Sequence, residues 1–185
     1  RHENPRLAVI VLYGHNPSMS SQMMPAAIET CKAIGEVSDA PVLVVGAHAA
    51  ALPERTLEET NAYFIATGEG PITAAHLLDG LQSGERPYHS MNHWLKKVPG
   101  LCYWEALKPV INPPAPNVLD LDNEMPGGQW EKLPMEKYRA HQWHADLGTL
   151  SRQPYASLYT SYGCVFRCQF CMIQAPFVEG DKLIL

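Results

Sequence analysis

The sequence lacks an excess of positive charge. Its 185 residues include 14 Lys and Arg against 19 Asp and Glu, giving a net charge of −5 and a pI near 5.9. Contacts to phosphate backbones need a basic surface, so this balance argues against a nucleic-acid partner. The chain also has no apolar run of about 18 residues and no charged-then-apolar leader, so we expect neither a membrane span nor a signal peptide.

The chain also lacks an even number of cysteines. The chain has five, an odd number, and three of them lie within eight residues. Such a set is a poor disulfide framework and a better metal or redox site in a reducing compartment, so we expect a cytoplasmic protein. The first residue is Arg1 rather than Met, and we expect a natural start upstream.

What the chain does contain at its start is a repeated order of strands and helices. Apolar runs at 7–14, 41–46 and 62–68 predict strands buried on both faces. Helical periodicity at 24–34, 54–60 and 72–82 predicts a helix after each strand, and 15–22 is predicted to be a polar loop. Strands joined by helical crossovers predict an α/β, Rossmann-like parallel sheet. Three strands make a thin sheet, so we expect one or two further units before Arg1.

Ligands of such sheets bind at the carboxyl ends of the strands. The loops predicted there are "YGHNPS", "GAHAAALP" and "GEGP", all rich in small residues that let a backbone approach a ligand. Glu69, in the third loop, is interpreted as a carboxylate favoured at a helix N-terminus rather than as a general base.

The segment 83–153 carries eight of the sixteen prolines and is predicted to be an irregular connector. Within it, "GLCYW" and "KPVIN" are expected to pair as a small hairpin. The carboxylates of "LDLDNE" (Asp120, Asp122, Glu124) could bind a cation, but a solvated connector is the preferred interpretation. His141 and His144 form at most half a metal site, and packing is the preferred interpretation.

A β-rich stretch at 155–163 is predicted to be the first strand of a second domain, and it runs into Cys164, Cys168 and Cys171. Structural zinc takes four protein ligands, and ferredoxin clusters take four cysteines. The other two cysteines, Cys31 and Cys102, are remote and fit core packing. Three thiols in one loop therefore favour a cluster with one iron left open, with a partial zinc site as the alternative.

The spacing C-x3-C-x2-C, with Phe170 before the last cysteine, resembles the radical S-adenosylmethionine (SAM) enzymes. The resemblance implies a 4Fe–4S cluster on Cys164, Cys168 and Cys171, SAM on the open iron, and Phe170 packed beside the adenine end of SAM. It also implies an external electron donor of the flavodoxin or ferredoxin type. Arg167 either holds the loop, tunes the cluster charge or is simply exposed.

The preceding part is similar to the cobalamin-binding domain of one subgroup of that family. The resemblance lies in "VVGAHAAALPE", "FIATGEGPITAAHLL" and "YTSYGC", taken in this order. It implies cobalamin contacts from three loops: Tyr13, Gly14, His15 and Ser18; Gly46, Ala47 and His48; Gly68, Glu69 and Gly70. The cobalt-binding pattern "DxHxxG" is not found, so a protein ligand to cobalt stays open.

Together these resemblances imply a cobalamin-dependent radical SAM enzyme, with methyl transfer to an unactivated centre of a small-molecule, lipid-like or natural-product substrate. Ring closure or rearrangement within the subgroup, or a non-catalytic cobalamin or zinc module, are the alternatives. The expected domains are 1–82 (cobalamin-binding), 83–153 (connector) and 154–185 (start of a radical SAM partial barrel). We expect a fragment truncated at both ends that has little turnover alone.

Overall fold

The structure is a computed structural model, and it describes 5–13, 17–84, 93–125, 127–139, 153–156, 163–166, 168–179 and 182–183. The chain divides into two compact units. One unit comprises Arg1–Asn117 with Gly163–Leu185, and the other comprises Val118–Tyr162. The predicted domain boundaries at 82 and 153 stay a prediction. Within the described residues, no helix is both long and apolar enough to span a membrane.

The first unit is built on a five-stranded mixed sheet of order β1-β2-β3-β4-β5. The first three strands pair in parallel, as predicted, and the last two are antiparallel. The strands are β1 (Ala8–Leu12), β2 (Val42–Gly46), β3 (Phe64–Ala66), β4 (Leu101–Glu105) and β5 (Lys108–Ile111). A separate two-stranded sheet joins β6 (Val178–Glu179) to β7 (Lys182–Leu183). The chain is therefore an α/β protein whose sheet is parallel at its start.

Helices follow each of the three parallel strands. They are α1 (Pro17–Gln22), α2 (Met24–Val37), α3 (Ala47–Ala51), α4 (Pro53–Thr60) and α5 (Pro71–Gln82), and α6 (Leu121–Glu124) lies in the second unit. Short 3-10 turns lie at Leu95–Lys97, Trp130–Lys132, Met135–Lys137 and Ala175–Phe177. The polar loop predicted at 15–22 is wrong from Pro17 onward, because a proline starts a helix well and Ser20 is buried, with its Oγ accepting from the N–H of His48 in α3.

Burial corrects the prediction for β1. Strands β2 and β3 are buried at every residue, as expected for strands covered on both faces. In β1, Val9 and Val11 are 45% and 57% exposed, while Leu12 is buried. Ala8 and Ile10 pack against the buried core and alternate with the exposed Val9 and Val11, so this apolar run is covered on one face among the described residues.

The predicted hairpin is confirmed as β4 and β5, and it also belongs to the main sheet. Strand β4 pairs with β3, so the hairpin extends the sheet from three strands to five. The turn places Ala106 and Leu107 at positive φ, which joins adjacent antiparallel strands tightly. Asn112, just after β5, donates its amide to the carbonyls of Leu95 and Val98 and so anchors the hairpin. Most of the strand predicted at 155–163 lies outside the described residues.

Candidate functional site

The carboxyl ends of the three parallel strands lie at one edge of the sheet. The register pairs Leu12 of β1 with Gly46 of β2, and Val44 of β2 with Ile65 of β3. The loops that follow these strands therefore meet there, as the sequence predicted. We call this region the carboxyl edge and define it by Tyr13, by Gly46–His48 and by Gly68–Gly70. Gly14 and His15 lie outside the described residues, and Ser18 is described by its backbone alone.

Two glycines of the carboxyl edge are required by the fold itself. Gly46 has φ +149°, and a Cβ there would overlap the carbonyl oxygen of Leu12. Gly70 has φ +105° and caps α5, and a Cβ there would overlap the side chain of Val45. Both positions exclude larger residues for reasons of internal packing. Contact between their backbones and a ligand stays a prediction, and so does the role of Glu69, which directly precedes the cap.

His48 is the most constrained polar residue at this edge. It is 8% exposed, and its backbone N–H donates to Ser20 Oγ at 3.0 Å. Its ring Nδ1 lies 2.8 Å from Ser21 Oγ. Its Nε2 is buried and has no hydrogen-bond partner among the described residues. Burial lowers the pKa of His48 below its ordinary value, with a smaller opposing effect of Glu59, which favours a neutral ring.

The three clustered cysteines lie in what we call the cysteine segment, residues 163–177. All three thiols are free, Cys168 is exposed, and Cys164 and Cys171 are half-buried. The N–H of Cys171 donates to the carbonyl of Cys168 at 3.0 Å, so the last two cysteines close one turn. Phe170, predicted to pack beside SAM, is 92% exposed here. Arg167 lies outside the described residues.

Gln174 organises the first part of the cysteine segment. Its side-chain N–H groups donate to the carbonyl of Cys164 at 2.9 Å and to the carbonyl of Phe166. No sequence pattern singles out this residue beyond its position three residues after Cys171. No group of three or more His, Cys, Asp or Glu stands gathered for a metal in the part of the chain that is described.

The end of the cysteine segment packs against the carboxyl edge. The 3-10 turn Ala175–Phe177 contacts α3, and Phe177 is buried. A Cβ on Gly68 would lie 3.9 Å from the carbonyl of Pro176. Ser21 Oγ lies 3.6 Å from Met172 Sδ. The structure thus brings the two predicted sites into one region through Met172 and Pro176, which the sequence analysis did not single out.

The remaining candidates have surroundings of their own. Cys31 and Cys102 are buried in the core, as predicted, and burial raises the pKa of both thiols, that of Cys102 to about 11. In the second unit, Asp120 caps α6 and bonds to Asn123, which lowers the pKa of Asp120. The carboxylates there are exposed, which agrees with a solvated surface. His141 and His144 lie outside the described residues.

Comparison with known proteins gives one relative by sequence. No protein-family model matches the chain. Over 137 residues, the chain is 32% identical to an uncharacterized methyltransferase of Pyrococcus horikoshii, and the match covers 74% of the chain. The same match covers 26% of the relative, so the chain spans about a quarter of that protein's length.

Comparison of structures identifies a similar fold. The radical S-adenosylmethionine methyltransferase TsrM from Kitasatospora setae, solved with tryptophan substrate and a SAM analogue, matches with a TM-score of 0.50 at 19% identity. The match covers 62% of this chain and 20% of TsrM. A second TsrM structure, with cobalamin and a [4Fe-4S] cluster bound, matches with a TM-score of 0.48 at 18% identity. The chain therefore shares sequence with one protein named as a methyltransferase and its α/β fold with another.

Proposed function

We propose that the chain is part of a cobalamin-dependent radical SAM enzyme that transfers a methyl group. The observation that carries the proposal is the cysteine segment. It offers three free thiols, Cys164, Cys168 and Cys171, and its end packs against the carboxyl edge. A thiolate site beside the ligand-binding edge of an α/β sheet suits an enzyme that uses two cofactors together.

The donor set fits an iron–sulfur cluster by its chemistry. Thiolates are the ligands of such clusters, and three of them leave one iron free of protein. When bound, the cluster supplies the electron that cleaves SAM and yields a 5′-deoxyadenosyl radical. The thiols would have to draw together around the metal, because they are not gathered in the described residues. Gln174 would hold the backbone at Cys164 during this closure.

The carboxyl edge is proposed as the cobalamin site. Tyr13, Gly46, Ala47, His48, Gly68, Glu69 and Gly70 would line it, together with Gly14, His15 and Ser18. Support comes from the buried Nε2 of His48, which has no partner among the described residues. A buried polar atom normally has a hydrogen-bond partner, so a ligand group at this position accounts for it.

Methyl transfer is proposed over ring closure or rearrangement. Support comes from the relative named as a methyltransferase and from the fold shared with TsrM, whose structure holds a tryptophan substrate. A small-molecule substrate is proposed on the same ground. The chain covers about a quarter of its relative, so catalysis is a property proposed for the whole protein.

The test is anaerobic reconstitution of the chain with iron and sulfide. We expect about four irons per chain and the broad absorbance of an iron–sulfur cluster. Cys168→Ala should lose the cluster, because it removes one of three ligands. The matched control is Cys31→Ala, which removes a core thiol and should keep the iron content.

The zinc alternative makes the opposite prediction. A colourless protein that binds zinc tightly, or fewer than about three irons per chain, would reject the radical SAM proposal. Equal iron content in the Cys168→Ala and Cys31→Ala variants would show that the cluster does not lie in the cysteine segment. With the whole protein, SAM and a reductant, the proposal further expects 5′-deoxyadenosine.

A further inference from the structure

Ser21 forms a bridge between His48 and the cysteine segment. Its Oγ lies 2.8 Å from His48 Nδ1 and 3.6 Å from Met172 Sδ. Met172 directly follows Cys171, whereas Ser21 belongs to α1 and His48 to α3. A single hydroxyl therefore touches the carboxyl edge on one side and the last cysteine's neighbour on the other.

The number of hydrogens decides how this bridge is arranged. Ser21 has one hydroxyl hydrogen, and the thioether of Met172 can only accept it. If Ser21 donates to Met172, then Ser21 Oγ accepts from Nδ1–H of His48, and both hydrogens are used. If Ser21 donates to Nδ1 instead, Met172 receives nothing and Nε2–H becomes a buried donor without a partner among the described residues. Buried N–H groups without a partner are rarer in proteins than buried acceptors without one, so the first arrangement is favoured.

We propose that Met172, acting through Ser21, holds His48 as the Nδ1–H tautomer, so that Nε2 accepts a hydrogen bond from an N–H donor of the bound ligand. We assign that donor as a primary carboxamide of the corrinoid, and this assignment rests on the proposed function. Ser21 and Met172 are positioning residues in this arrangement. Burial supports it independently, because the lowered pKa of His48 keeps the ring neutral and the lone pair available.

The tautomer is directly measurable by NMR without cobalamin. In the chain labelled with 15N-histidine, long-range 1H–15N spectra distinguish Nδ1–H from Nε2–H, and His48→Gln assigns the signal. We expect wild type to show Nδ1–H. Met172→Leu conserves the side-chain volume but removes the acceptor, so the Nε2–H fraction should rise several-fold. Met23→Leu, an exposed methionine beyond the end of α1, is the matched control and should leave the tautomer unchanged.

Two outcomes would overturn the proposed control of the His48 tautomer by Met172 and Ser21. One is Nε2–H in wild type, and the other is an unchanged tautomer in Met172→Leu. Ser21→Ala gives an independent measurement, because it removes the central hydroxyl and should also abolish the preference for Nδ1–H. Ser83→Ala, which removes an exposed hydroxyl that donates to the carbonyl of Asp79, is its control.

Titration with hydroxocobalamin tests the ligand part. Met172→Leu and Ser21→Ala should weaken binding by about threefold to tenfold, the effect of one hydrogen bond, and Met23→Leu should not. If wild type binds no hydroxocobalamin, the proposed cobalamin site is wrong. The NMR spectra still decide whether Met172 and Ser21 set the tautomer of His48. If the tautomer changes and binding does not, Nε2 is not an acceptor for the corrinoid.

Discussion

The carboxyl edge and the cysteine segment differ in how far the fold has built them. At the carboxyl edge, Ala47 and His48 are buried, and two Ser side chains bond to His48. In the cysteine segment, Cys168 and Phe170 are exposed, and the side chain of Gln174 donates to the carbonyls of Cys164 and Phe166. Packing thus completes the first region, whereas the second presents reachable thiols whose final arrangement depends on what they bind.

The largest expected effect is a difference in stability between alanine variants of two phenylalanines. Phe64 of β3 is 2% exposed, and Phe170 of the cysteine segment is 92% exposed. Phe64→Ala should lower the free energy of unfolding by about 3–5 kcal/mol, because it removes buried surface and leaves a cavity. Phe170→Ala should change it by less than about 0.5 kcal/mol. Urea unfolding of both variants measures this, and similar losses would contradict the difference in burial.

The second expected effect is a difference in alkylation rate between two cysteine thiols. Cys102 is fully buried with its pKa raised to about 11, and Cys168 is exposed. Because the thiolate is the reacting form and must reach the reagent, iodoacetamide at pH 8 should modify Cys168 on the order of a hundredfold faster than Cys102. Peptide mapping by mass spectrometry gives both rates. In urea the rates should converge, and equal rates in the native chain would refute the burial of Cys102.

The smallest expected effect concerns the backbone of the carboxyl edge. Gly46→Ala should destabilise the chain by about 1–3 kcal/mol, because φ is +149° and the new Cβ would overlap the carbonyl oxygen of Leu12. Gly35→Ala is the control: its site in α2 is open, and alanine should stabilise the helix by about 0.5–1 kcal/mol. Thermal unfolding compares the two, and a neutral Gly46→Ala would show that the edge is not fixed at this glycine.

Sequence patterns predicted what depends on neighbours along the chain. The parallel strands and α2 follow from periodicity, and Met24, Ala27 and Cys31 are the residues that α2 buries. The burial of β1 could not be predicted the same way. An apolar run reads alike whether one face or both faces of a strand are covered, and only the folded chain shows that Ala8 and Ile10 meet the core while Val9 and Val11 are exposed.

By itself the sequence determined the α/β order, the hairpin and the three-thiol spacing, because these arise from local periodicity and from residue chemistry. Only the tertiary structure decided that the hairpin extends the sheet through β3, and that Ser21 lies between His48 and Met172. Ser21 and Met172 are 151 residues apart along the chain. No periodicity spans such a separation, so their contact exists only once the cysteine segment packs against α3.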